Sequence, residues 1–221
     1  MSKGFWAIVL AVVIVLGGVF LLTDHKKSGN NNGGGNVQAT SHIEGSTKTG
    51  VKLVEYGDYE CPYCGQFYPI VKQVVTQYND QIQYQFRNLP LTQIHKNAFA
   101  GARAAEAAGL QGKFWEMHDL LYQNQDPNGA TGWVVSDDAL DDYFVGYAKQ
   151  LGLNVNQFKT DYKSSKVNDM INADISAFDK TGAEEATPTF FLDGKQIHPG
   201  YSASDFQKLI DAAIKAKTGK S

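Results

Sequence analysis

Residues 54–75 read VEYGDYECPYCGQFYPIVKQVV and hold Cys61 and Cys64, the only two cysteines of a 221-residue chain. The stretch VKLVEYG at 51–57 is a short β-rich run, and Cys61 follows it in a turn. Beyond Pro62, the apolar positions Phe67, Ile70, Val71, Val74, Val75 and Tyr78 recur at helical spacing. Proline suits the first turn of a helix, where its missing amide has no bond to lose. Both cysteines are therefore expected at a strand-to-helix junction.

Three chemistries use such a pair. Structural zinc needs four ligands, commonly two Cys-x-x-Cys pairs or one pair with two histidines. This chain has one pair, and His25, His42, His95, His118 and His198 show no ligand spacing. His95 reads as a loop residue and His118 as part of an amphipathic helix. The loop from Asp126 to Gly129 hints at calcium ligands, but its spacing fails the EF-hand pattern. No metal is expected. A structural staple across so small a loop would remove little entropy from the unfolded chain. The remaining reading is redox chemistry. A cysteine just before a helix meets unpaired amides and the positive end of the dipole, which favour its thiolate. Its partner one turn on is placed to close a disulfide or to release a mixed one.

The rest of the domain fits around that junction. QIQYQFRNL at 81–89 alternates like a strand, and residues from about 97 to 181 turn helical. TPTFFLDGKQI then reads as strand, Asp-Gly turn, strand. A capping box from Ser204 to Gln207 opens an amphipathic C-terminal helix. Without the helical block the order is β-α-β then β-β-α, one sheet with helices on both faces. A Cys-x-x-Cys beside a β-α-β pattern is the signal of a thioredoxin-like site.

Composition narrows the class further. A net charge of −3 gives no reason to expect nucleic acid as a partner, and 43% hydrophobic content is ample for a core. Phe5 to Leu22 is an uncharged run of 18 residues, about the length that spans a bilayer as a helix. It ends in Thr23-Asp24-His25-Lys26-Lys27, unlike a cleavage site, so an uncleaved signal anchor is favoured over a cleaved signal. The organisation expected is a short cytoplasmic N-terminus at 1–4, a membrane anchor at 5–22, a flexible Gly/Asn-rich tether at 23–48 and a globular domain at 49–219. Positive charges flank the anchor almost evenly, so orientation rests on the cysteine chemistry.

EYGDYECPYC at the junction, TPTFFLDG near the C-terminus and the helical block between them resemble the DsbA-like thiol–disulfide oxidoreductases. The resemblance covers nearly all of residues 50–217. It implies a thioredoxin fold with an inserted helical domain, an exposed nucleophile at Cys61 and a buried resolving cysteine at Cys64. Pro188 corresponds to the family's cis-proline beside the disulfide, whose bend can leave neighbouring backbone groups free for an incoming peptide. Thr187 before it would face the sulfurs and tune their potential. Glu55, six residues before Cys61, matches a family glutamate that can relay protons with a raised pKa. Strand alternation alone leaves open whether Glu55 points to solvent. One departure stands out: Tyr63 occupies the place of a histidine in the best-known DsbA proteins, and a phenol cannot stabilise the Cys61 thiolate as an imidazolium does. Tyr59 and Tyr63 are candidates for an apolar peptide-binding surface.

Taken together, these features lead to an expected membrane-anchored, single-pass protein with its catalytic domain outside the cytoplasm. It would pass its Cys61–Cys64 disulfide to reduced exported proteins and be reoxidised by a membrane quinone-linked thiol oxidase, with no other cofactor. A disulfide isomerase or reductase, or a chaperone-like binding module, is the alternative.

Overall fold

The computed structural model describes residues 38–126 and 128–219. The apolar run at 5–22 and most of the tether lie outside them. Among the described residues no helix is long and apolar enough to cross a membrane.

The strands are β1 (His42–Gly45), β2 (Lys52–Gly57), β3 (Gln83–Asn88), β4 (Thr189–Leu192) and β5 (Lys195–Ile197). They form one sheet in the order β1-β3-β2-β4-β5. Only the β2–β3 pair is parallel, as its crossover through helix α1 (Pro62–Gln77) requires. Helices α2 (Ala98–Gly109), α3 (Phe114–Gln123), α4 (Val145–Gln150), α5 (Val155–Tyr162) and α6 (Ser165–Asp179) follow before β4. Helix α7 (Ala203–Thr218) closes the domain.

The central strand β2 is covered on both faces. Leu53 joins the main core with Val71, Val74, Phe86, Phe190 and Phe206. On the other face Tyr56 packs with Leu89, Phe178 and Phe191. This double burial decides where Glu55 goes: on the Leu53 side, 3% exposed, with no solvent face to turn to. Gly57 ends the strand where a Cβ would lie 2.5 Å from Phe86 Cε2.

Three local expectations need correction. The segment expected to be tether up to residue 48 instead contains β1, whose His42 and Gly45 register with Phe86 and Gln83. Its attachment comes from distant side chains. Asp174 of α6 accepts the Thr40 amide at 2.6 Å and the Thr40 hydroxyl at 2.7 Å. Glu106 of α2 lies 2.8 Å from His42 Nε2, and the His42 ring stacks on Phe114 with centroids 3.4 Å apart. Asn88 joins the two buried carboxylates, donating to Glu106 at 2.6 Å and to Asp174 at 3.3 Å. Second, the block expected to be helical from about 97 to 181 is not regular α-helix throughout: a π-helical turn at Leu140–Phe144 runs into α4. Third, α7 is capped by Ser202 rather than Ser204: the Ser202 hydroxyl accepts the Asp205 amide at 3.3 Å and donates to the Asp205 carboxylate at 2.7 Å.

The Asp-Gly turn forms as expected, with Asp193 at φ 52° and Gly194 at φ 80°. Both central residues of a two-residue hairpin of this hand need positive φ, which this dipeptide tolerates.

Candidate active site

Cys61 is the N-cap of α1, in extended backbone, and Pro62 opens the first turn. The Cys61 carbonyl accepts the Gly65 amide at 3.1 Å, so the helix begins on the cysteine itself. That leaves the Tyr63 and Cys64 amides free to point at the Cys61 sulfur. Across the gap, Sγ lies 3.4 Å from the Thr187 carbonyl. The Thr187–Pro188 bond is cis. Only 3% of Cys61 is exposed, less than the exposed nucleophile implied by the family resemblance, because its sulfur is turned onto the 187–188 loop.

Both cysteines are free thiols, and their environments drive them apart. Cys61 is held down to about 6, chiefly by a hydrogen bond from the Cys64 thiol. Desolvation opposes this, and a hydrogen bond from the Thr187 side chain and the two helix-end amides add to it. Cys64 is 0% exposed, and burial pushes its thiol well above the ordinary range. One thiol is poised as a thiolate near neutrality and the other stays protonated. That asymmetry is what disulfide exchange needs from a pair.

Glu55 stands behind Cys64 and is electrostatically coupled to it. Burial raises the Glu55 carboxyl to about 7, against a hydrogen bond that Tyr84 donates to Oε2 at 2.6 Å. A cavity of about 20 Å³ runs beside Glu55, lined also by Tyr84, His118, Trp115, Lys72 and Asp119. That is room for roughly one water molecule. His118 contributes no charge there: burial drives it down to about 3, and its Nδ1 lies 3.1 Å from the Tyr59 hydroxyl. Replacing Tyr84 with phenylalanine removes the one hydrogen bond that steadies the carboxylate. The Glu55 titration should then move upward from about 7, which carboxyl-resolved infrared or NMR titration reads directly.

An open cleft of about 290 Å³ borders the pair, walled by Tyr63, Phe67, Pro188, Pro199 and Tyr201 among others. Of the two tyrosines considered for such a surface, Tyr63 is 57% exposed and Tyr59 only 1%. Tyr59 instead packs against Phe86 and Tyr122. Tyr201 is 58% exposed and stacks near Phe67, a member of the cleft that the sequence did not single out.

Two further residues hold the cysteine loop. Gln125, at the end of α3, donates from Nε2 to the Tyr59 carbonyl at 2.7 Å and to the Cys61 carbonyl at 2.9 Å. A Cβ at Gly65 would sit 1.9 Å from Gln125 Oε1, so a side chain there would displace the amide that holds the loop. Asp58 anchors the loop from below through contacts with Glu60, Leu91 and His95. Asp58 and Gly65 are local to the cysteines, but only the tertiary fold brings Gln125, Leu91 and His95 to them, so no local sequence signal marks those three.

A dithiol split in this way, on a sheet of this order, places the chain among the thioredoxin-like thiol–disulfide oxidoreductases. The family model described as "Thioredoxin" matches residues 37–212, and the chain belongs to that family. A thioredoxin-like oxidoreductase from Silicibacter pomeroyi superposes with a TM-score of 0.64 at 26% identity, covering 79% of this chain and 92% of that one. BdbD from Bacillus subtilis, in its oxidised form, gives a TM-score of 0.65 at 22% identity, covering 80% of this chain and 96% of its own. Helices α2 to α6 are inserted between β3 and β4. A protein named Na(+)/H(+) antiporter NhaA 1, from Salinispora arenicola, is 38% identical over 173 residues, which make up 78% of this chain but 24% of that protein. The chain thus spans about a quarter of the length of the curated relatives it matches, and ion antiport belongs to those whole proteins.

Proposed function

We propose that this chain is a membrane-anchored oxidase of protein thiols, with its domain outside the cytoplasm. It donates the Cys61–Cys64 disulfide to reduced exported proteins, and a membrane quinone-linked thiol oxidase restores it. The observation that carries the reading is the split between a Cys61 thiol held down to about 6 and a buried Cys64 pushed well up.

The steps balance as follows. A substrate thiolate attacks Cys61 Sγ of the disulfide, forming a mixed disulfide and releasing Cys64 as a thiolate. Cys64 is too buried to stay charged, so it takes a proton, for which Glu55 at about 7 is the neighbouring donor. A second substrate thiolate then attacks the substrate sulfur of the mixed disulfide, and Cys61 leaves as a thiolate. The substrate loses two electrons and the pair gains them. Because Cys61 leaves unprotonated, one proton is released near neutral pH. The cleft beside Pro188 gives an unfolded chain apolar surface, and the Thr187 carbonyl offers it a polar contact.

The placement outside the cytoplasm rests on the apolar run at 5–22 and on redox compartment, since a cytosolic thiol pool would keep this pair reduced. The protein equilibrated against glutathione should be the more oxidising partner and should speed oxidative refolding of a reduced substrate. A potential well below that of glutathione would favour the reductase alternative. External protease acting on intact cells, with any outer barrier opened, should release an active domain by cutting at 28–36. Protection until the inner membrane is lysed would overturn the placement.

A further inference from the structure

Tyr63 leaves the cysteine turn without an imidazolium, yet a different histidine stands beneath it. The Asp58 carboxylate is fully buried. Its Oδ1 accepts the Glu60 amide at 2.8 Å; its Oδ2 accepts the Leu91 amide at 3.0 Å and lies 2.6 Å from His95 Nδ1. The backbone of the same residue meets both cysteines. Its carbonyl accepts the Cys61 amide at 3.1 Å, and its amide donates to Cys64 Sγ at 3.5 Å. A buried negative charge is thus built into the loop that must carry a second one on Cys61. Two like charges in one buried loop oppose each other.

We infer that His95 is a positioning residue of the redox site: as an imidazolium it neutralises Asp58, so that this carboxylate shapes the Cys61 loop without opposing the Cys61 thiolate. The side chain of His95 is 15% exposed, close enough to solvent to exchange a proton. Its pKa is raised, first by the hydrogen bond to Asp58, against desolvation, and further by the charges of Asp58, Cys61 and Glu60. Of the other groups around it, Glu60 accepts the Asn97 amide, and the neighbouring Lys96 is engaged by the exposed Asp137. The support His95 gives to the thiolate is present while it is protonated and is lost as pH rises through its raised pKa. By reciprocity, a thiolate at Cys61 must favour the protonated ring to the same extent.

This rests on the reading of Cys61 as the attacking thiolate, and two measurements on the full-length chain test it. NMR titration of His95 in the disulfide and dithiol forms should give the higher pKa in the dithiol form. Iodoacetamide rates at Cys61 should fall about three- to tenfold near pH 6.5 in His95→Gln, where Asp58 stands uncompensated. In the double variant Asp58→Asn with His95→Gln, with both charges gone, the rate should rise above that of His95→Gln, although asparagine can accept only one of the two amides that Asp58 holds. A double variant no better than His95→Gln, or a His95 titration identical in the two redox forms, overturns the inference. The NMR comparison needs no substitution and decides the matter if Asp58→Asn does not fold. A reactive Cys61 indifferent to His95 removes this inference alone. A reactive Cys64 in place of Cys61 removes the proposed function with it.

Discussion

Cys64→Ala is expected to turn a transient covalent step into a stable one. With the resolving thiol gone, a mixed disulfide through Cys61 can be released only by a thiol from solution. The Cys64 thiol, hydrogen-bonded to Cys61 in the folded protein, attacks at an effective concentration far above that of any free thiol. Its loss should lengthen the life of the adduct by at least about a hundredfold. Cells expressing the variant should show reductant-sensitive adducts on non-reducing gels, and a second change, Cys61→Ser, should abolish them. Because Cys64 is 0% exposed and packed in the main core, alanine leaves a small cavity; it also removes the hydrogen bond that chiefly holds Cys61 down, so Cys61 should titrate higher in this variant. The variant should fold. A Cys61 that is reactive in this variant yet forms no adducts would point away from a protein substrate.

The second large effect is on stability, and it differs between the two redox forms. In the reduced protein Cys61 titrates at about 6 when folded and near 8.5, the free value, when unfolded. A depressed folded pKa gives stability that is lost as pH falls through about 6 and is fully present above the unfolded value. Cys64 acts in the opposite sense: its raised folded pKa costs stability once the unfolded thiol begins to ionise, above about 8.5. The disulfide form has neither titration. Stability of the reduced form relative to the oxidised form should therefore rise from about pH 6, by up to a few kcal/mol, and turn down above about pH 8.5. Glu55 at about 7 loses stability with rising pH in both forms and largely drops out of the difference. Urea unfolding of both forms from pH 5 to 9 measures it. A flat difference would show that Cys61 is not held as a thiolate by the fold.

How much of this is legible in sequence depends on the range of the interactions involved. The cysteine junction, the helical periodicity of α1 and the Asp-Gly hairpin are set by neighbours within a few residues, and pattern reading finds them. Strand β1 escapes it because HIEG is short and alternates between half-buried and exposed positions. Its support comes from Asp174, 134 positions away from Thr40. Glu55 is ambiguous for another reason: alternation assigns a face, but both faces of β2 are covered, so alternation cannot report burial. His95 is one more isolated histidine in the sequence, 37 positions from its carboxylate partner. Gln125 carries no local mark at all. The pair and the thiol and amides that chiefly hold Cys61 down are local, whereas the burial that drives Cys64 up comes from the fold.

The most direct test of the central claim is the order in which the two thiols of the reduced, folded chain are modified. Brief exposure to iodoacetamide at pH 7, followed by peptide mass spectrometry, should find Cys61 carboxamidomethylated and Cys64 intact, with Cys64 reacting only after unfolding. Equal labelling of the two, or Cys64 ahead of Cys61, would contradict the assignment of nucleophile and resolving thiol on which the account rests.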